Sequence, residues 1–348
     1  MTFSPDIRRV LQQGTVIPAC PLALDAERKW DERRQRALLR YYLEAGAGGI
    51  ALGVHTTQFA IREPRHDLYR PLLRFAAAEM AACDRPVVRV AGVCGETEQA
   101  LEEAGFAREC GYHAGLLNLS ALAAASEDEL IDHCRRVGAV LPVFGFYLNP
   151  AIGGRLLPYS FWRRFAEIDA VVAIKIAPFN RYQTLDVVRA VVEADRDDIA
   201  LYTGNDDNIV ADLITPFCFE RDGRRVERRI VGGLLGQWAV GTRAAVELLE
   251  RCHRAAASGS IPCELLADNV AVTDINAALF DAAHDFAGCI PGVHEVLRRQ
   301  GLLSGIWCLD PRQTLGPGQA EEIDRVMRAY PDWFDGEFVR DNLARWLG

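Results

Sequence analysis

The sequence has almost no lysine. Of its 39 basic residues only two are lysine, at positions 29 and 175, and the other 37 are arginine. Wherever a positive charge alone suffices, this chain uses a guanidinium, which stays protonated at working pH and cannot form an imine. A lysine that survives such a bias is a candidate for amine chemistry. Lys29 lies in AERKWDERRQR, a polar helical entry that reads as ordinary surface. Lys175 lies in DAVVAIKIAPF, which is nothing like a surface.

Other absences narrow the class. No run of about 18 uncharged apolar residues occurs, so no membrane span and no membrane partner are expected. The first residues, MTFSPDIRRVLQQG, contain no apolar core of a secretory signal. The ten cysteines are scattered singly from Cys20 to Cys308 without a C-x-x-C pair. That spacing argues against structural zinc and reads as reduced thiols of a cytoplasmic protein. No His/Cys/Asp/Glu cluster suggests a metal, so neither a metal nor an organic cofactor is expected. The net charge is −9, and the densest basic run, Arg221 to Arg229, is interrupted by Asp222 and Glu227. It reads as a solvated hairpin or loop, and no nucleic-acid partner is expected.

Half of the 348 residues are apolar, enough for a large core. From about residue 14 to 250, short apolar runs alternate with amphipathic helical stretches. The runs are TVIPACPL, GGIALGV, PVVRVAGV, HAGLLNL, LPVFGFYL, AVVAIKIA, DIALYTG and RIVGGLLG. Strands apolar on both faces belong to a parallel sheet covered by helices. Eight βα units in about 240 residues predict an α/β fold, a closed (β/α)₈ TIM barrel. The first strand carries no G-x-G-x-x-G, which disfavours a dinucleotide-binding sheet. Beyond residue 255 the pattern becomes helical only. The expected organisation is a catalytic barrel over residues 1–255 and a C-terminal helical extension, 256–348, packed on it.

Active sites of such barrels sit at the C-terminal ends of the strands. Lys175 stands in the sixth run, VVAIKIA. Burial disfavours the ammonium and favours the neutral amine, the nucleophile that condenses with a ketone. The alternative is a lysine that snorkels from the strand end or pairs with Asp169 or Asp186. Tyr147 ends the fifth run, on the neighbouring strand, where a phenol could relay protons; the alternative is a core or rim tyrosine.

The two runs together resemble the dihydrodipicolinate synthase and N-acetylneuraminate lyase superfamily of class I, Schiff-base aldolases. Y-L-N-P-A-I-G-G-R, followed 28 residues after Tyr147 by I-K, resembles that family's tyrosine motif and imine-forming lysine. The likeness extends over most of the chain. VIPACPLALD resembles the T-P-F segment of the first strand, GGIALGVHTTQ the G-x-x-G-T-T-G-E segment, LYTGNDD the turn after strand seven, and IVGGLLGQWAV the glycine-rich eighth strand. The resemblance implies that Lys175 forms a Schiff base with pyruvate or another 2-oxo acid. It implies that Tyr147 relays protons, and that the chain is a homo-oligomer, a dimer or tetramer.

The substrate carboxylate would be held after strand two, by His55, Thr56 and Thr57, through backbone N–H groups and a hydroxyl. His55 alone reads equally as a packed rim histidine. The family's Thr-Thr-Gly-Glu is altered here, and no tyrosine follows strand four, where Asn118 and Ser120 are the polar groups. The arginine expected soon after the tyrosine is displaced to Arg155, behind two glycines. These departures point away from lysine-biosynthetic synthase activity and toward a lyase-like branch acting on sugar acids or other hydroxy-oxo acids. Gly204 and Asn205 are substrate-binding candidates. Asp206 and Asp207 are also candidates for binding substrate hydroxyls, but read slightly more readily as a turn and helix cap. Gly233 and its neighbours read as a close backbone approach, less readily as a phosphate nest, and Gln237 and Trp238 as residues above the pocket. The expected function is a lyase or aldolase on a 2-oxo acid; the alternatives are a dehydratase through the same imine and a non-catalytic oxo-acid or sugar-acid binding barrel.

Overall fold

The computed structural model describes residues 4–348. Among the described residues there are ten strands: β1 Val16–Pro18, β2 Gly49–Leu52, β3 Val88–Val93, β4 Ala114–Leu117, β5 Val143–Leu148, β6 Val171–Ala177, β7 Ala200–Thr203, β8 Phe217–Arg221, β9 Arg224–Arg228 and β10 Ile230–Leu235. Eight of them form one parallel sheet in the order β1-β10-β7-β6-β5-β4-β3-β2. The sheet closes between its ends, where Ala19 bridges Ala51 and the Cys20 N–H donates to the Ala51 carbonyl at 2.9 Å. The fold is therefore a (β/α)₈ barrel, and all eight apolar runs supply its strands.

Strand alternation decides which side chains enter the barrel. Phe144, Phe146 and Leu148 of β5 and Ala173 and Ala177 of β6 belong to the interior cluster. Lys175, between those two alanines, points the same way. Tyr147, Ile174 and Ile176 belong to the other cluster, between the sheet and the outer helices. On β6, Ala173 and Lys175 lie beside the large rings of β5, in the pairing Phe144–Ala173 and Phe146–Lys175. The interior is thus filled below Lys175 and open above it.

A helix the sequence patterns do not announce, Pro5–Gln13, closes the opposite end. Its Ile7 and Leu11 join the interior cluster, and the Tyr202 hydroxyl donates to the Leu11 carbonyl at 2.8 Å. The basic run is a hairpin of β8 and β9. Asp222 (φ 52°) and Gly223 (φ 72°) make its tip, the left-handed pair that suits two-residue hairpins. Its Arg221, Arg228 and Arg229 pair with Asp195, Asp197 and Glu227 rather than presenting a bare basic face.

After the eighth barrel helix, Thr242–Ser258, the chain forms the helical extension. Its main helices are Cys263–Leu279, Cys289–Arg299, Gln319–Ala329 and Gly336–Leu347. The first rests on the loop after β7, where Asn276 Nδ2 donates to the Asp206 carbonyl at 2.7 Å. The last is anchored by Asp335, whose carboxylate accepts from Tyr41 Oη and from the N–H groups of Arg243 and Ala244, at 2.7–3.0 Å. An anion at the start of the Thr242–Ser258 helix is favourable, because its first N–H groups have no partner within the helix. Among the described residues, no helix is long and apolar enough to cross a membrane.

Candidate active site

Above Lys175 the barrel mouth opens into a small cavity of about 50 Å³. The Lys175 amine faces it, with Nζ 4.6 Å from the centre of the Phe146 ring. Among the described residues, no hydrogen bond or ion pair engages this amine. Asp186, one partner considered from the sequence, is instead bridged to Arg189. Burial holds the Lys175 amine below the ordinary lysine value, against the negative charge of Asp206, which acts to raise it. The result is an unengaged amine shifted toward its nucleophilic form, at the end of the barrel where chemistry is done.

Room for the lysine comes from Gly204, directly after β7. A methyl group there would lie 2.5 Å from Lys175 Cε and 2.8 Å from Ala177 Cβ. Gly204→Ala is expected to fold but to push the amine off its line, slowing adduct formation with a 2-oxo acid by about 10²-fold, the usual effect of a misplacement near 1 Å. Rapid-quench trapping measures this, and an unchanged rate would mean that the lysine is not confined.

Asn205, next in the chain, turns away from the cavity. Its Nδ2 donates to Asp212 at 2.9 Å and Thr184 at 3.3 Å, and its Oδ1 accepts from the Phe179 N–H at 3.0 Å. It pins together the loops after β6 and β7, so its expected contact with substrate is corrected to a positioning role. The same turn sends Asp206 into the cavity. Its Oδ1 is buried with no hydrogen-bond partner. Burial pushes this carboxyl above the ordinary aspartate range, opposed by the charge of Lys175. The amine and the carboxyl therefore sense one another across the cavity, each shifted toward its neutral form by the same lack of water.

His55 and Thr56 line the cavity on the β2 side. Burial, with the positive charge of Lys175, pushes the His55 imidazole down to about 4, so it is neutral near pH 7. The Thr56 hydroxyl donates to the Ala19 carbonyl at 2.8 Å, leaving its lone pairs for the cavity. Thr57 does not reach the cavity. Its hydroxyl donates to the Cys20 carbonyl at 2.7 Å and accepts from the Val54 N–H, tying the loop to the first strand's end. The roof is aromatic. Phe179 follows β6 in a left-handed conformation (φ 55°) that is costly for a bulky residue and is held by the Asn205 bond and by Phe286, 5.7 Å away. Phe280 and Cys289, from the extension, complete it, and burial raises the Cys289 thiol so that it stays protonated.

Three further expectations are corrected. Tyr147 faces outward, as alternation from Phe146 requires. Its ring packs 5.3 Å from that of Trp162, and its hydroxyl accepts from the Leu157 N–H at 3.3 Å. It does not reach the amine of Lys175, and Phe146 occupies the adjacent inward position. Asn118 is buried beside the loop after β4, where its Oδ1 accepts from the Ser120 N–H at 2.8 Å, away from the cavity. Gly233 faces outward under Trp238, whose ring would lie 2.5 Å from an added methyl. Its smallness serves packing and not a ligand. Tyr147→Phe is accordingly expected to leave turnover within about twofold while costing about 1–2 kcal/mol in chemical denaturation, since a buried N–H loses its acceptor. A fall in kcat of about 10²-fold or more would reinstate the phenol as a proton carrier.

Phe146, Phe179, Phe280 and Cys289 are among the cavity residues that the sequence did not single out, and Asp206 was only a weaker candidate there. For Asp206 a signal was present: two consecutive acids right after an apolar strand lie where barrel enzymes keep their chemistry. For Phe280 and Cys289 there was none, because a contact made by the return of a distant helix leaves no local pattern.

No family model and no curated protein matches the sequence. Solved structures match over almost the whole chain. YagE, a prophage protein of the dihydrodipicolinic acid synthase family from E. coli K12, solved with pyruvate, superposes with a TM-score of 0.72 at 17% identity, covering 91% of this chain and 98% of that one. CdNal from Clostridium difficile, solved with mannosamine, gives 0.73 at 14% identity, covering 91% and 99%. N-acetylneuraminate lyase from Fusobacterium nucleatum gives 0.71 at 14% identity, covering 92% and 99%. At such identities the likeness establishes the fold: this chain has the barrel and helical extension seen in dihydrodipicolinate synthase and N-acetylneuraminate lyase structures.

Proposed function

We propose that the protein is an imine-forming lyase or aldolase of the dihydrodipicolinate synthase and N-acetylneuraminate lyase superfamily. In it, Lys175 condenses with a 2-oxo acid such as pyruvate. The observation that carries this reading is the pairing, in one cavity at the barrel mouth, of an unengaged amine on a half-buried lysine with an unpartnered buried carboxyl oxygen. A barrel that merely bound an acid would have no use for an amine whose burial favours its neutral form. The pyruvate in the YagE complex supports the substrate class.

The chemistry follows from the groups present. The neutral Lys175 amine attacks the ketone carbon, and the carbinolamine loses water to give the protonated imine, taking its proton from solvent at the open mouth. The protonated imine then accepts the electron pair of the adjacent carbon–carbon bond. As that bond breaks, the hydroxyl at C4 becomes a carbonyl, and its proton passes to the Asp206 carboxylate. Protonation of the enamine at C3 and addition of water release pyruvate and restore the amine. Asp206 thus takes the role assigned from the sequence to Tyr147. A dehydratase would draw on the same imine, losing a proton from C3 and the hydroxyl from C4. The outward turn of Tyr147 is the one feature favouring a binding protein without turnover, and Asp206 weighs against it.

The test is incubation with pyruvate and borohydride, followed by peptide mapping. An adduct on Lys175 is expected. Folded protein that traps neither pyruvate nor longer 2-oxo acids would overturn the imine mechanism.

A further inference from the structure

The walls of the cavity speak to the other half of the substrate. Beyond Lys175 and Asp206, which the chemistry occupies, the lining is dominated by Leu116, Phe146, Leu148, Ile152, Phe179 and Phe280. The remaining polar groups are few. His55 is neutral, Thr56 has committed its proton to Ala19, and the Cys289 thiol is a weak partner.

Lys175 is the cavity's sole cationic side chain among the described residues. Arg155, the first arginine after β5, spends its guanidinium on the carbonyls of Leu122 and Ala125 in the loop after β4. Arg181, after β6, pairs with the buried Asp212. A second carboxylate or a phosphate on the substrate would therefore meet the Asp206 carboxyl with no counter-charge. A polyhydroxylated chain would lose its water and find too few partners, which a site punishes heavily. An aryl or branched alkyl group instead gains from burial against these rings.

We infer that the carbonyl partner released or accepted by this enzyme is an apolar aldehyde, aryl or branched alkyl, and that sugar acids and dicarboxylates are poor substrates. This rests on the imine reading above. The substrate for cleavage is then a 4-hydroxy-2-oxobutanoate bearing the apolar group on C4. The C3–C4 bond breaks, its electron pair moves into the imine, the C4 hydroxyl proton passes to Asp206, and pyruvate and the aldehyde leave after hydrolysis. No redox partner is needed.

The first arm of the test is kinetic: 4-hydroxy-2-oxo-4-phenylbutanoate against a 2-oxo-3-deoxy-hexonate, with pyruvate release as readout. The phenyl substrate is expected to show at least tenfold higher kcat/KM, and Phe280→Ala to lower it about tenfold, mainly through KM. Equal or better use of the sugar acid overturns the inference, as does failure to use the phenyl compound by protein that still traps pyruvate. The second arm needs no imine: calorimetric binding of 4-phenylbutanoate against gluconate to Lys175→Met. Tighter binding of the phenyl acid supports an apolar site even if trapping fails and the imine reading falls. Equal binding, or preference for gluconate, overturns it.

Discussion

Lys175→Arg yields a folded protein that forms no borohydride adduct and loses at least about 10⁴-fold in turnover, the scale on which removal of a catalytic nucleophile is felt. The substitution keeps the positive charge and much of the length, so it separates amine chemistry from electrostatics. A guanidinium cannot lose its proton here and cannot become an imine nitrogen. Lys175→Met removes the charge as well, and should be at least as stable as the parent, because a desolvated amine with no partner contributes little to folding. Trapping in the parent should follow pH in a defined sense. Burial lowers the amine's value, so the fraction able to attack rises at lower pH than for a free lysine, ordinarily near 10.4. The adduct rate should therefore climb with pH and level off below that value. An inflection at or above it would mean a solvated lysine, and the mechanism would have to be given up.

The barrel was legible because its signals are local and repeated eight times. Each of the eight apolar runs sits within a few residues of an observed strand, since a strand buried on both faces must be apolar throughout. Lys175 was legible by contrast, one amine among guanidinium groups and aliphatic neighbours. Facing was not legible. In a run such as VFGFYL every residue is apolar or aromatic, so the period of two that would separate inward from outward leaves no trace. The resemblance implied that Tyr147 relays protons at Lys175, whereas the pairing Phe146–Lys175 puts the ring one residue earlier beside the amine. Asp206 was hidden by a different ambiguity. Asp after a Gly-Asn pair serves equally as a cap or as an acid, and only the outward turn of Asn205 decides between them. Phe280 and Cys289 arrive from the extension, a long-range fact with no local signature.

Asp206→Asn separates the two halves of the mechanism. The amide keeps the shape of the carboxyl but neither gives nor takes a proton at working pH, so kcat should fall by about 10²–10⁴-fold, the range for loss of a general acid–base group. Imine formation with pyruvate should respond differently. The negative charge of Asp206 acts to raise the Lys175 value. Without it, only the burial of the amine remains to set that value, so it falls further. The pH limb of trapping then moves to lower pH, and at neutral pH a larger fraction of the amine is ready to attack. The expected signature is a variant that still captures pyruvate, with its profile displaced acidward, yet turns over scarcely at all. A collapsed or misfolded site would lose both activities together, and a group that merely bound a substrate hydroxyl would raise KM and leave the trapping profile in place. If Asp206→Asn retained kcat within a few-fold, the proton would have to travel through His55 or water, and the assignment of the carboxyl would be wrong.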